Sequence, residues 1–277
     1  MMKSNKLLIG SLCLNCLIIS LMAGGGYYYR DRLSEKVYRI LGMSHYMPSE
    51  NVLKTFNNDP LEAVNDSLIV GTSDTVTLLF LGNSLTYTGI PEEEPDKTKR
   101  GLSSTKKEND YVHRLVKMIA EVKSVNVKYS ILNIASFERT FTQYSFDKSK
   151  LSDIQQKNPD YLIVQIGENV SKKDLIGNIE KYEAELESLI NQFPNSKKMI
   201  TLPFWPYKEV NYVTTKVAIK TGALIIDLSH LGNGIDEMCF ASSQRKYKND
   251  GVGKHPGDYG MQKIAECMYA GFNILHH

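Results

Sequence analysis

From Val76 onward, short apolar runs rich in β-branched residues alternate with longer amphipathic segments. That alternation is the signature of βαβ units laid into a parallel sheet, and it constrains the chain more than any other feature. The spacing predicts strands over residues 76–81, 125–134, 161–166, 198–202 and 223–228. Helical periodicity falls at 110–121, 145–156, 175–193, 209–221 and 259–275. Five strands with helices between them give an α/β fold of three layers, α/β/α, built on a central parallel sheet. The domain is expected to occupy residues 75–277. The segment 91–107, rich in Glu, Pro and Lys, is expected as a loop directly after the first strand. Ligands in open α/β sheets bind beyond the carboxyl ends of the strands, so this loop would flank a site.

The chain is 42% apolar and 23% charged, which suits a packed core and excludes a disordered or collagen-like polymer. A net charge of +2 offers no basic field, so nucleic acid is not an expected partner. The four cysteines do not make a disulfide framework. Cys13 and Cys16 sit in an apolar stretch, a poor place for zinc. Cys239 and Cys267 either pair as a disulfide or are simply buried.

The first thirty residues are a separate object. Residues 7–29 carry no charged side chain, and as a helix they would extend roughly 35 Å, enough to cross a hydrocarbon layer of roughly 30 Å. Lys3 and Lys6 precede this run, and small residues follow its most apolar part at 23–26, so a cleaved signal and an uncleaved anchor both fit. The length of the run and the aromatic belt Tyr27, Tyr28 and Tyr29 favour a transmembrane signal anchor over 1–29. Residues 30–74 read as a juxtamembrane stalk. The basic start places the body outside the cytoplasm, in the periplasm or at the cell surface. The excess of Arg30, Arg32, Lys36 and Arg39 beyond the span counts the other way.

Three blocks stand where strands end. The first strand runs into Gly82-Asn83-Ser84-Leu85, where a glycine permits a sharp turn and the serine hydroxyl can stand at the open end of the sheet. The third strand runs into Gly167-Glu168-Asn169, and an asparagine amide is an uncharged donor suited to a developing oxyanion. Before the last helix lies a loop from Asn249 to Asp258, with His255 between glycine-rich sequence and Pro256 and an aspartate on either side. Such a histidine can serve as a general base. Each block alone also reads as an ordinary turn or cap.

Taken together, the three blocks resemble the SGNH, or GDSL-type, hydrolase family, in the family's order, over about residues 76–277. The resemblance implies a flavodoxin-like fold and ester cleavage through a covalent acyl-serine, with no metal or organic cofactor. It makes Ser84 the nucleophile and His255 its base. The Ser84 amide and Asn169 become oxyanion donors, with Asn83 and Gly167 in contact with substrate. Physics suits the roles, because a serine hydroxyl needs an adjacent base and the tetrahedral intermediate needs donors.

The departures are as informative. Asn83 replaces the family's aspartate, and the second block lacks its glycine, so the amide of Ala135 or of Ser136 is expected to donate instead. Glu138 and Arg139, in the same stretch, either line the site or are solvated charges. Val252 stands where the family has its triad acid. Asp250 is the natural substitute, Asp258 reads as a helix cap, and a backbone carbonyl orienting the imidazole is a third possibility. Trp205, beyond the fourth strand, either stacks on a sugar or packs on its own domain. The expected substrate is a small-molecule or polysaccharide ester, acetyl above all, on carbohydrate or envelope polymers. The alternatives are an O-acyltransferase with the same triad and an anchored binding protein that has lost the chemistry.

Overall fold

The structure is a computed structural model that describes residues 64–90, 96–142, 151–156 and 158–276. The expected anchor 1–29 with Cys13 and Cys16, the stalk up to residue 63, positions 91–95 of the loop and positions 145–150 of the second helix lie outside the described residues. Among the described residues, no helix is long and apolar enough to cross a membrane.

The strands are β1 (Val64–Leu68), β2 (Thr75–Gly82), β3 (Asn126–Asn133), β4 (Tyr161–Gln165), β5 (Lys197–Leu202) and β6 (Leu224–Asp227). They form one sheet in the order β1-β3-β2-β4-β5-β6. The α-helices are α1 (Tyr111–Lys123), α2 (Ala135–Thr140), α3 (Ser152–Gln155), α4 (Lys172–Leu175), α5 (Ile179–Ile190), α6 (Lys208–Thr221), α7 (Asp250–Gly253) and α8 (Asp258–His276). The five strands read from the sequence all appear, each end within one residue of expectation. They pair in parallel. Numbered among themselves they run 2-1-3-4-5, the flavodoxin-like doubly wound order.

Two differences from the sequence reading are local. The segment expected as a stalk contains β1, which pairs antiparallel with β3 from Val64 opposite Ile131 to Leu68 opposite Val127. The sheet therefore begins before residue 75. Its interior, Asn65-Asp66-Ser67, is exposed at the sheet edge, so no apolar alternation marks it. The helix expected over 175–193 begins later, as α5 at Ile179; the short α4 ends at Leu175, and Gly177 takes the left-handed conformation (φ +79°) between them.

The pleat sorts the core into two layers. Val76, Leu78 and Phe80 of β2 face α1 and α8, meeting Leu115, Ile119, Ile264 and Met268. Leu79 and Leu81 face the other side, where α5 and α6 supply Leu186, Leu189, Val213 and Val217. Strands buried on both faces need continuous apolar runs, which is why these were legible. All five parallel strands point the same way, so the loops after β2, β3, β4 and β5 gather at one end of the sheet.

Candidate active site

Ser84 stands in the turn that follows β2. A Cβ on Gly82 would lie 1.8 Å from Thr86 Oγ1, so only glycine lets the chain fold back so tightly. The turn closes with Thr86 N–H and Tyr87 N–H both donating to Asn83 O at 3.0 Å, while Leu85 N–H donates to Asn83 Oδ1 at 3.1 Å. The Asn83 side chain is fully buried. It holds the turn through Leu85 N–H and reaches Glu168 Oε2 at 2.7 Å.

His255 approaches from the other end of the sequence. Its Nε2 lies 3.2 Å from Ser84 Oγ, and its Nδ1 lies 2.8 Å from Gly251 O. A carbonyl oxygen only accepts, so Nδ1 carries the hydrogen in this contact and the Nε2 lone pair is left facing the serine. Burial pushes the imidazole pKa down to about 4, with the Gly251 bond acting against the shift. The imidazole is therefore neutral near pH 7.

The carboxylate expected to orient His255 is elsewhere. Asp250 begins α7 and is exposed, while the carbonyl one residue later takes the imidazole N–H. This corrects the assignment of Asp250, and the reason is the helical turn. Asn249 Oδ1 caps the Gly251 N–H at 2.8 Å, α7 winds one turn, and Gly251 O is carried beneath His255. Val252 is buried, and its carbonyl accepts from Ser103 Oγ at 2.7 Å, which ties α7 to the loop beside Ser84. Asp258 bonds Thr105 N–H at 2.8 Å, Thr105 Oγ1 at 2.6 Å and Asn109 Nδ2 at 2.8 Å. It anchors the start of α8 to that same loop. Trp205 is buried edge-to-face against His255, with ring centroids 5.0 Å apart, and against Phe204 at 5.4 Å. It packs on its own domain, as one wall of the histidine. Cys239 and Cys267 are free thiols.

The segments that follow β3 and β4, on either side of β2, meet through the side chain of Glu138. The Ala135 amide, one of the two expected donors, is taken by Asn133 Oδ1 at 2.9 Å. The next amide, of Ser136, has no acceptor among the described residues, and neither has that of Ser84. Gly167 adopts φ +127°, and a Cβ there would lie 2.5 Å from Pro203 Cγ. Its N–H donates to Glu138 Oε1 at 2.5 Å, so its amide is committed to the frame. Asn169 donates from Nδ2 to Glu138 Oε2 at 2.8 Å and accepts at Oδ1 from Arg139 Nη2 at 3.0 Å.

Behind these groups lies a pair of buried carboxyls that the sequence did not disclose. Glu138 is fully buried and faces N–H donors from Asn83, Gly167 and Asn169. Glu168 accepts from Asn83 Nδ2 at 2.7 Å, Gln165 Nε2 at 2.8 Å and Phe204 N–H at 2.9 Å. Burial, then the Glu138 charge, pushes Glu168 up to about 7. Burial raises Glu138 as well, against the N–H donors that favour its ionised form. From the sequence Glu138 either lines the site or is solvated, and Glu168 is only the middle residue of the Gly-x-Asn block. The available signal was position: a glutamate following Phe137 at a strand end, and another inside the Gly-x-Asn block, had to find partners if buried.

No family model matches the chain, and no curated protein matches it. Similar solved structures include the psychrotrophic esterase EstA from Pseudoalteromonas sp., at 16% identity and a TM-score of 0.47, covering 71% of this chain and 96% of that one. The Clostridium thermocellum family 3 carbohydrate esterase is similar at 17% identity and 0.47, covering 73% and 98%. Both are too distant to carry an argument about activity, which rests on this chain's own residues.

Proposed function

We propose that this protein is a serine ester hydrolase of SGNH type whose Ser84 is acylated during turnover. The observation that carries the reading is the Ser84–His255–Gly251 chain of contacts: hydroxyl to imidazole at 3.2 Å and imidazole to carbonyl at 2.8 Å, at the carboxyl end of the sheet. In the first step Ser84 Oγ attacks the ester carbonyl carbon as its proton passes to His255 Nε2. The oxyanion is met by Asn169 Nδ2–H and the backbone N–H of Ser84, with Ser136 N–H in the place expected of Ala135. Collapse expels the alkoxide, which takes the proton from His255. Water then repeats the sequence on the acyl-serine, with His255 removing its proton, and releases the acid. Gly251 O holds the imidazole tautomer and takes part in no proton transfer.

The substrate class of the proposal is an acyl ester, acetyl above all, on carbohydrate or envelope polymer, with the protein anchored through residues 1–29 and its body outside the cytoplasm. The charge-free run 7–29 behind Lys3 and Lys6 supports that placement. Turnover of p-nitrophenyl acetate by the full chain, beside Ser84→Ala and His255→Ala, tests the chemistry. Wild-type turnover with both variants at background is the expected result, and equal rates in all three would end the esterase reading. Alkaline extraction of membranes tests the anchor, because an integral span stays in the pellet.

A further inference from the structure

The side-chain amide of Asn169 is gripped at both ends by residues adjacent in sequence. Arg139 Nη2 donates to its Oδ1, and its Nδ2 donates to Glu138 Oε2. Exchanging the amide's oxygen and nitrogen would set NH₂ against a guanidinium and a carbonyl against a carboxylate, so the orientation is fixed by charge. Nδ2 carries two hydrogens, and Glu138 takes one. Glu138 Oε1 also accepts the Asn169 backbone N–H at 3.0 Å and that of Gly167, and Asn83 Nδ2 reaches Oε2 at 3.2 Å. One carboxylate therefore joins the turn of the nucleophile to the strand end that carries the oxyanion donor. α2, which holds both charged residues, follows β3, the neighbour of β2 on the side away from β4.

Resting on the esterase reading above, we propose that Glu138 and Arg139 are positioning residues of the oxyanion hole, clamping Asn169 so that its remaining N–H is held toward the reacting carbonyl. They touch no substrate and act through Asn169. Precision of this kind governs rate more than binding, since an oxyanion donor meets its partner only in the transition state.

The test measures kcat and KM of the full chain for p-nitrophenyl acetate, and labelling of Ser84 by a serine-directed fluorophosphonate. The variants are Arg139→Met, Arg139→Lys and Glu138→Gln, each with and without Asn169→Ala. Arg139→Met should lower kcat at least about tenfold with KM within about twofold, and Arg139→Lys should restore most of the loss. In the Asn169→Ala background Arg139→Met should cost nothing further, because the residue it acts through is gone. Arg139 is only half-buried, so its variants keep the test alive if Glu138→Gln does not fold. An Arg139→Met enzyme as fast as wild type, or one losing the same factor in both backgrounds, overturns the proposal alone. A wild type that neither turns over nor takes up the phosphonate removes the esterase reading, and this proposal with it.

Discussion

Glu138 and Glu168, both buried, meet on a single donor: Asn83 Nδ2 lies 3.2 Å from Glu138 Oε2 and 2.7 Å from Glu168 Oε2. Two carboxyls this close resist double ionisation, and Glu168 yields, pushed up to about 7 by burial and by the Glu138 charge.

Stability should therefore fall as pH rises through the window from the ordinary glutamate value, near 4.5, to about 7. A raised carboxyl binds its proton more tightly folded than unfolded, so the folded state gives up this advantage once both states ionise. The loss is on the order of 3 kcal/mol across that window. His255, with its pKa depressed, contributes the opposite slope below 6.5. Urea unfolding at several pH values, wild type against Glu168→Gln, isolates the glutamate. Parallel curves for the two proteins would show that Glu168 does not titrate there.

The acid limb of kcat/KM should fall near pH 4, because a buried His255 stays neutral and able to accept a proton until its own pKa is reached. A profile of p-nitrophenyl acetate hydrolysis from pH 3.5 to 8 checks this. A limb near 6.5 would mean that the imidazole is solvated in the working enzyme.

Asp250→Asn should leave kcat within about twofold of wild type, since the imidazole N–H is held by Gly251 O and the Asp250 carboxylate is exposed. Disabling a true triad carboxylate costs about ten thousandfold. Steady-state kinetics distinguish the two cases, and a hundredfold loss would restore Asp250 to the relay.

Gly82→Ala should destabilise the protein by about 2 to 3 kcal/mol and slow labelling of Ser84 by phosphonate. Its Cβ would sit 1.8 Å from Thr86 Oγ1, and that hydroxyl is bonded to Gln165 Oε1 at 3.0 Å and Tyr111 Oη at 2.7 Å, so it cannot swing away freely. Gly71→Ala is the control. It has open space at φ +84° and should cost only about 1 kcal/mol, with no effect on labelling.

The frame of this protein was written locally. A run such as Thr77-Leu78-Leu79-Phe80-Leu81 reads as a strand buried on both faces because its period and its β-prone residues are properties of neighbours in the chain. From strands and helices in alternation a parallel sheet follows, and with it the end at which the loops carrying Ser84 and Asn169 stand. The sequence alone determined that much. That His255 joins them was implied by the family resemblance and is seen in its 3.2 Å approach to Ser84. β1 escaped because an exposed edge strand needs no apolar pattern.

The tertiary structure decided which group answers which. Asp250 and Gly251 are neighbours in the sequence, yet only the winding of α7 sets the carbonyl, and not the carboxylate, under His255. Glu138 could have been a solvated charge until β3 and β4 delivered the N–H groups of Gly167 and Asn169 to it across about thirty residues of chain. A hydrogen bond is decided within a few tenths of an ångström, and a buried charge survives only where several donors converge. Periodicity places the five parallel strands to within a residue, and it carries no information at the finer scale about groups brought together from distant parts of the chain.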